Sequence, residues 1–238
     1  MITFTSIASS SSGNCYHVTD GQTPLLLECG IGFKRIQKSL NFQVTSLAGC
    51  LVSHEHGDHS KAVRDMLKAG VDVYMSSGTH RALFPEGTRP PHGSRLLTAR
   101  DKLTIGTWTV LPFDTVHDAA EPLGFLLSSG GEKFLFATDT AFLKYRFKGL
   151  THIAIECNHQ LEILKQNVDN GAVPYSHKAR VMKSHFNLAN VLKCLAANDL
   201  SAVREIYLLH LSDANSNEGE MKTAVQAATG KPVTVCAA

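Results

Sequence analysis

Between Ser53 and His59 the chain reads Ser-His-Glu-His-Gly-Asp-His, directly after the apolar pair Leu51-Val52. Three imidazoles and two carboxylates fall within the six residues His54 to His59. Side chains two apart on an extended backbone project to the same side. His54 and His56 are therefore placed to face one ion together, while Asp58 and His59, a turn later, reach a second. The other reading, a solvated His-rich loop, needs no further ligands in the chain. The rest of the sequence supplies them, and it supplies them at the ends of strands. A chain built this way must deliver side chains from several strands to one edge, which is the habit of layered α/β scaffolds.

The pattern around the cluster agrees. Ile2–Phe4 and Tyr16–Val18 alternate like a hairpin, Leu25–Leu27 is a short strand, and Leu47–Val52 is the strand that delivers His54. Residues 31–40 and the stretch after Ser60, with Ala62, Val63, Met66 and Leu67 on one face, predict helices, the second ending at Gly70. Val71–Met75, Trp108–Val110, Gly124–Leu127, Lys133–Phe136, Ile153–Ile155, Ile206–Leu209 and Val233–Val235 predict further strands. Helices are expected at 188–195 and 218–228. Strands with interspersed helices, repeated in both halves, predict an α/β sandwich of two sheets with helices outside. A length of 238 residues suits one domain, 1–238, and 43% hydrophobic residues can fill a sizeable core.

Six scattered cysteines, with no Cys-x-x-Cys pair, read as reduced thiols rather than a disulfide frame or zinc ribbon. The start of the chain lacks the pattern of an export signal, and no apolar run is long enough to span a bilayer. The expected location is the cytoplasm, with no membrane partner. A net charge of +2 is too mild to identify or exclude a polyanionic substrate.

Three further ligand-type residues stand where strands give way to loops. His117 follows the run ending at Val116, Asp139 follows Phe134–Thr138, and His210 follows Ile206–Leu209. Taken singly, each is more simply a surface or capping residue. Their shared placement, with the opening cluster, makes a metal site the better account.

In order and spacing these blocks resemble the metallo-β-lactamase superfamily, whose fold is an αββα sandwich. The resemblance implies that His54, His56 and His117 hold one divalent ion, that Asp58, His59 and His210 hold a second, and that Asp139 bridges them. Within the superfamily the chain is most similar to the YycJ or WalJ branch, related to DNA 5′-to-3′ exonucleases. That likeness rests on Ser10-Ser11-Ser12-Gly13-Asn14-Cys15, Leu26-Leu27-Glu28-Cys29-Gly30, Gly78-Thr79-His80 and Ala137-Thr138-Asp139-Thr140. It continues in Glu156-Cys157-Asn158-His159, Ser184-His185-Phe186-Asn187 and Leu209-His210-Leu211-Ser212-Asp213. The chain departs from the branch at Glu28, usually Asp, at Gln160, often acidic, and in the Ser184–Asn187 run.

Two ions about 3.5–4 Å apart can share a hydroxide and hold the attacking and leaving oxygens of a phosphodiester. Mixed His and carboxylate ligands suit zinc, manganese or iron. Asp58 is also a candidate for orienting the water. For the substrate, Ser11, Ser12 and Asn14 offer donors in a turn. Asn158, His159 and His185 offer donors near a scissile or terminal phosphate, with His159 and His185 as catalytic candidates. Lys178 and Arg180 precede His185 and are placed to follow a nucleic-acid backbone, as Lys144-Tyr145-Arg146-Phe147-Lys148 is elsewhere. A turn-forming run, surface histidines and solvated helix faces are the plainer readings of these groups. The expected activity is a dinuclear metal phosphodiesterase, a DNA exonuclease. The competing readings are a small-ester or thioester hydrolase of the glyoxalase II or lactonase kind, and a binding module without catalysis.

Overall fold

The alternating start of the chain forms the hairpin its pattern predicts: β1 (Thr3–Ala8) pairs antiparallel with β2 (Cys15–Thr19). The computed structural model describes residues 1–85 and 91–236. By its internal contacts the chain divides into two compact units. One comprises Met1–Asp114 with Ala119–Glu132, and the other Thr115–Asp118 with the segment from Lys133 onward.

In the first unit β3 (Pro24–Leu27) lies antiparallel to β2, and the strands then turn parallel. α1 (Phe33–Ser39) leads towards β4 (Gly49–Leu51). α2 (Gly57–Ser60) and α3 (Val63–Lys68) lead to β5 (Val73–Ser76), and α4 (Ser77–Leu83) precedes β6 (Ser94–Leu97). The sheet order is β1-β2-β3-β4-β5-β6, its last three pairings parallel. Parallel neighbours require crossover connections, which is why helices alternate here with short strands. Such strands are covered on both faces, and Leu25, Leu26, Leu27, Cys50, Leu51 and Val52 have no exposed surface. Leu26, Cys50, Val73 and Met75 pack with Ile36 of α1 and Val63 and Met66 of α3. The unit also holds an antiparallel meander, β7 (Leu103–Ile105), β8 (Trp108–Asp114) and β9 (Leu123–Ser129). Trp108 is fully buried and donates its indole N–H to the Thr23 carbonyl at 2.8 Å.

The second unit is built on four parallel strands: β10 (Glu132–Ala137), β11 (His152–Glu156), and, after α5 (Leu161–Asp169), α6 (Tyr175–Ser184) and α7 (Leu188–Ala196), β12 (Glu205–Leu209). α8 (Glu218–Thr229) then leads to β13 (Val233–Val235). Their register pairs Ala137 with Ile155 and Glu156 with Leu209. The residues just past these positions, Asp139, Asn158 and His210, are thereby carried to one edge, as is Glu156 itself. Sites on parallel sheets gather at the carboxyl ends of strands.

The helices at 188–195 and 218–228 stand where the periodicity put them. Each is capped by an Asn side chain: Asn187 accepts from the Asn190 N–H, and Asn217 from the Glu220 N–H. α4, α5 and α6 are additions to the sequence reading. α5 buries only Leu164, and α6 only Val181 and Ser184, so neither carries the apolar stripe that periodicity detects. They close over a small core of their own, Leu164, Val173 and Val181. Among the described residues no helix is long and apolar enough to cross a membrane.

Candidate metal centre

The loop after β4 is braced from behind by two other segments of its own unit. The Asn14 N–H donates to the Asp58 carbonyl at 2.8 Å, and the Cys29 N–H to the His59 carbonyl at 2.9 Å. Gly30 lies so close that a Cβ there would fall 1.7 Å from the Asp58 carbonyl oxygen. Glu28, fully buried and in left-handed backbone (φ 63°), accepts from the Ser53 N–H at 3.1 Å and places a carboxylate oxygen 3.4 Å from His59 Nδ1. Burial pushes the Glu28 carboxyl up, against the pull of His59 and Ser53.

On this frame the ligand-type atoms converge. His54 Nε2 lies 3.1 Å from His56 Nδ1, and the His54 and His59 rings are 4.2 Å apart between centroids. His59 Nε2 is 3.3 Å from Asp58 Oδ2. His54 Nδ1 lies 2.8 Å from the Ser53 hydroxyl, so Nε2 is the nitrogen turned towards His56.

The second unit gathers His117, Asp139 and His210. Asp139 sets Oδ2 3.5 Å from His117 Nε2 and Oδ1 3.8 Å from His210 Nε2, one oxygen towards each ring. Both Asp139 (φ 38°) and His210 (φ 53°) occupy left-handed backbone, which non-glycine residues hold at a cost. His117 Nδ1 lies 2.8 Å from the Ser184 carbonyl and donates to it, so Nε2 is the nitrogen turned towards Asp139. Burial pushes the His117 pKa down, with Asp139 opposing, so the ring is held neutral, the form that binds metals. His210 Nδ1 is 3.6 Å from Glu156 Oε1, again turning Nε2 towards Asp139.

These arrangements fit a divalent ion. A histidine that ligates metal engages its other ring nitrogen with a carboxylate, carbonyl or similar partner. His54, His59, His117 and His210 each have Nδ1 facing such a partner: Ser53, Glu28, the Ser184 carbonyl and Glu156. Of the seven ligands expected from the sequence, His54, His56, Asp58 and His59 are drawn together within the first unit. His117, Asp139 and His210 are drawn together within the second.

In the sequence Glu156 stands out only as part of the block Glu156–His159, yet it is the hub of the second unit's cluster. One signal pointed to it: a carboxylate closing a buried strand, the same placement that singled out Asp139 and His210. It has no exposed surface. Oε1 lies 2.5 Å from His185 Nδ1, and Oε2 accepts from the Thr140 N–H at 2.9 Å and the Phe186 N–H at 3.0 Å. Burial disfavours the charged form of His185. The Glu156 charge and hydrogen bond, helped by Asp139 and Asp118, outweigh it and raise the pKa to about 9. His185 Nδ1 is also 3.8 Å from Asp139 Oδ2. The nearest ligand-type atoms of Asp139, Glu156, His185 and His210 all lie within 4.8 Å of one another.

The remaining sequence candidates divide. His159 is fully buried, and neither ring nitrogen has a hydrogen-bond partner among the described residues. Burial holds its pKa down to about 4. Asn158 donates its amide to the His210 carbonyl at 3.0 Å. Asn14 is fully buried, its amide donating to the Ser10 carbonyl and lying 3.2 Å from His59 Nε2, its oxygen accepting from the Tyr16 hydroxyl. Ser11 and Ser12 are exposed. Lys178 lies over the Tyr175 ring at 5.9 Å, and Arg180 is 3.7 Å from Asp118, the neighbour of His117.

The sequence profile of the beta-lactamase superfamily domain matches residues 23–210. Exodeoxyribonuclease YycJ of Bacillus anthracis is 31% identical over 227 residues, covering 90% of this chain and 84% of its own length. Exodeoxyribonuclease WalJ of Streptococcus pneumoniae serotype 2 (strain D39) is 27% identical over 223 residues, covering 88% and 81%. Among solved structures, the metallo-β-lactamase fold protein YhfI of Bacillus subtilis superimposes with a TM-score of 0.73 at 15% identity, over 99% of this chain and 96% of that one. Zn2+-bound PqqB of Methylobacterium extorquens gives 0.74 at 12% identity, over 100% and 99%. At such identities the likeness speaks for the fold, and it is the fold that the sequence predicted. The chain is a metal-dependent hydrolase by fold and kin, and it belongs to the metallo-β-lactamase superfamily as a YycJ-like member.

Proposed function

We propose that this protein is a dinuclear metal-dependent phosphodiesterase that removes nucleotides from DNA, working from 5′ ends. The observation that carries the reading is the Glu156–His185 pair beside Asp139. An alkoxide leaving from a phosphodiester needs a proton or a strong donor, and a phosphate in transit gathers negative charge. A thiolate leaving group needs neither. An imidazole held through Nδ1 by a buried carboxylate that raises its pKa therefore suits phosphate chemistry better than thioester hydrolysis. The exodeoxyribonuclease names of the relatives support the same choice of substrate.

In this reading His54, His56 and His117 would hold one ion and Asp58, His59 and His210 the other, with Asp139 available to both. The single-domain reading of residues 1–238 belongs to the same proposal. Zinc, manganese and iron all suit these donors. When bound, the ions would supply a hydrolytic nucleophile at neutral pH and offset the charge of the phosphodiester.

The chain's own residues do the rest. Asp58 orients the water. Glu156 anchors His185 through Nδ1, so Nε2 is the nitrogen that donates to the phosphate. His159, whose ring nitrogens have no hydrogen-bond partner among the described residues, offers a second polar group, and Asn158 holds the His210 loop. Ser11, Ser12, Lys178 and Arg180 complete the proposed phosphate contacts, while Asn14, buried, acts only by supporting His59. The six free cysteines support a reducing, cytoplasmic setting.

The test is a substrate panel. Metal-loaded protein is given end-labelled single- and double-stranded DNA, RNA and a thioester, with either DNA end blocked in turn. DNA cleavage that a 5′ block abolishes is the expected result. Faster turnover of the thioester than of any nucleic acid would move the reading to the small-ester class.

A further inference from the structure

Asp118 is a carboxylate outside the proposed ligand set, and its two oxygens face two different parts of the second unit. Oδ1 lies 3.4 Å from His117 Nε2, and Oδ2 lies 3.7 Å from the Arg180 guanidinium on α6. The same His117 Nε2 meets Asp139 Oδ2 at 3.5 Å. The ring gives its proton to the Ser184 carbonyl through Nδ1, so Nε2 carries a lone pair. A lone pair that faces two carboxylate oxygens is at ease only with a cation among them. The separations suit one: two ligand atoms about 2.1 Å from an ion, at a tetrahedral angle, stand about 3.4 Å apart. Arg180 leads to the same place. Its helix ends at Ser184, the residue that holds His117, and His185 comes next. From Asn170 to Asn198 the chain has no Asp or Glu, so the carboxylate that meets Arg180 comes from another segment, the turn after His117. The pair is loose, with side chains 58% and 42% exposed, and ion pairs of this kind are worth little and are readily exchanged.

We propose that Asp118 couples the ion position at His117 to substrate binding: without an ion it holds Arg180, and with one it turns to the ion and leaves Arg180 to a phosphate of the substrate. The proposal rests on the nuclease reading above. A divalent ion carries twice the charge of a guanidinium and binds a carboxylate oxygen directly, so it takes Asp118 in preference to Arg180. Arg180 then keeps its full fork of donors for a phosphate, the partner that fork fits best along with a carboxylate. Asp118 is thus a positioning residue that acts through Arg180, and the cation reaches for the polyanion only when the site is loaded. The linkage is reciprocal: a phosphate that takes Arg180 frees Asp118 for the ion, so DNA tightens the hold on metal by the factor by which metal tightens the hold on DNA.

The test is binding, read by fluorescence anisotropy with a 3′-labelled DNA duplex whose phosphorothioate linkages resist hydrolysis. Wild type, Arg180→Ala, Asp118→Asn and the double variant are titrated with salt. Each is measured stripped of metal and loaded with manganese, with metal content and melting temperature as controls. In the loaded protein Arg180→Ala should flatten the salt dependence by about 0.9 in slope, the loss of one phosphate contact. In the stripped protein it should change the slope little, because Asp118 already holds the guanidinium. In the Asp118→Asn background Arg180→Ala should cost about 0.9 in slope with metal or without it. An equal effect of Arg180→Ala on stripped and loaded protein overturns the coupling, and so does no effect on either. An effect that still depends on metal in the Asp118→Asn background overturns it too. These three outcomes leave the nuclease reading standing, and the comparison of stripped with loaded protein decides even where Asp118→Asn folds poorly. A loaded wild type that binds no DNA removes the nuclease reading, and the coupling with it.

Discussion

His185 Nδ1 lies 2.5 Å from Glu156 Oε1, so the side of the imidazole left for a substrate is Nε2. The carboxylate is fully buried and also accepts two backbone N–H groups, from Thr140 and Phe186. One charged group therefore sets the ring's orientation, its proton affinity and the path of the two loops around it.

Removing the ring should cost rate without costing metal. His185→Ala is expected to keep its metal content and lose about a hundredfold or more in DNA hydrolysis, the scale of losing one donor to developing charge. Glu156→Gln should lose a comparable factor. The double variant should be little worse than His185→Ala alone, because the two side chains act as a unit. Rate constants and metal analysis on the same preparations decide this, and normal hydrolysis by His185→Ala contradicts it.

Asp139→Asn tests the residue set between two rings. An amide keeps the shape but carries no charge to offset cations, so the variant should fold, bind less metal and hydrolyse little. Full metal content with wild-type rate would rule out the bridging role.

Two glycines near the metal loop should respond in opposite ways. A Cβ on Gly30 would fall 1.7 Å from the Asp58 carbonyl and 2.6 Å from the His59 nitrogen, whereas one on Gly57 meets nothing within 4 Å. Gly30→Ala should displace Asp58 and His59 and lower both metal content and melting temperature. Gly57→Ala should change neither by much. Equal tolerance at both positions would show that the brace behind the loop is dispensable.

Asp20 offers a stability test away from the site. Its partial burial favours the neutral acid, but hydrogen bonds from Ser129, Thr107, Thr23 and Gln22 outweigh that and hold the carboxyl well below the usual range. A depressed folded-state pKa gives stability that is present above the unfolded value, about 4 for Asp, and is lost as pH falls towards the folded one. Asp20→Ala should be about 1–2 kcal/mol less stable at neutral pH. The gap from wild type should narrow as pH drops below about 4. Denaturant titrations across pH check it, and a gap that widens in acid contradicts it.

The sequence disclosed the proposed ligands more readily than their supports. His54 to His59, His117, Asp139 and His210 are chemically conspicuous residues that follow apolar runs, and both signals survive without coordinates. Glu28 and Gly30 act through close approach of segments far apart in sequence: Glu28 reaches Ser53 and His59, and Gly30 makes room for Asp58. No periodicity records such an approach, although both residues sit in a block that the family resemblance picked out. α5 and α6 went unread for a different reason, since each buries so little that polar residues surround it. Asn14 was read as a donor to phosphate, and its amide lies fully buried against the Ser10 carbonyl and His59. Residue type marks a polar group, but only packing tells which partner it has.

Metal removal and return test the central claim most directly. The protein is stripped with a chelator, its metal counted, and DNA hydrolysis measured before stripping, after it, and on adding back manganese or zinc. The account predicts about two ions per chain in the active form, hydrolysis abolished by stripping, and recovery that tracks the second ion. Undiminished DNA hydrolysis by metal-free protein, or full activity at one ion per chain, would contradict it.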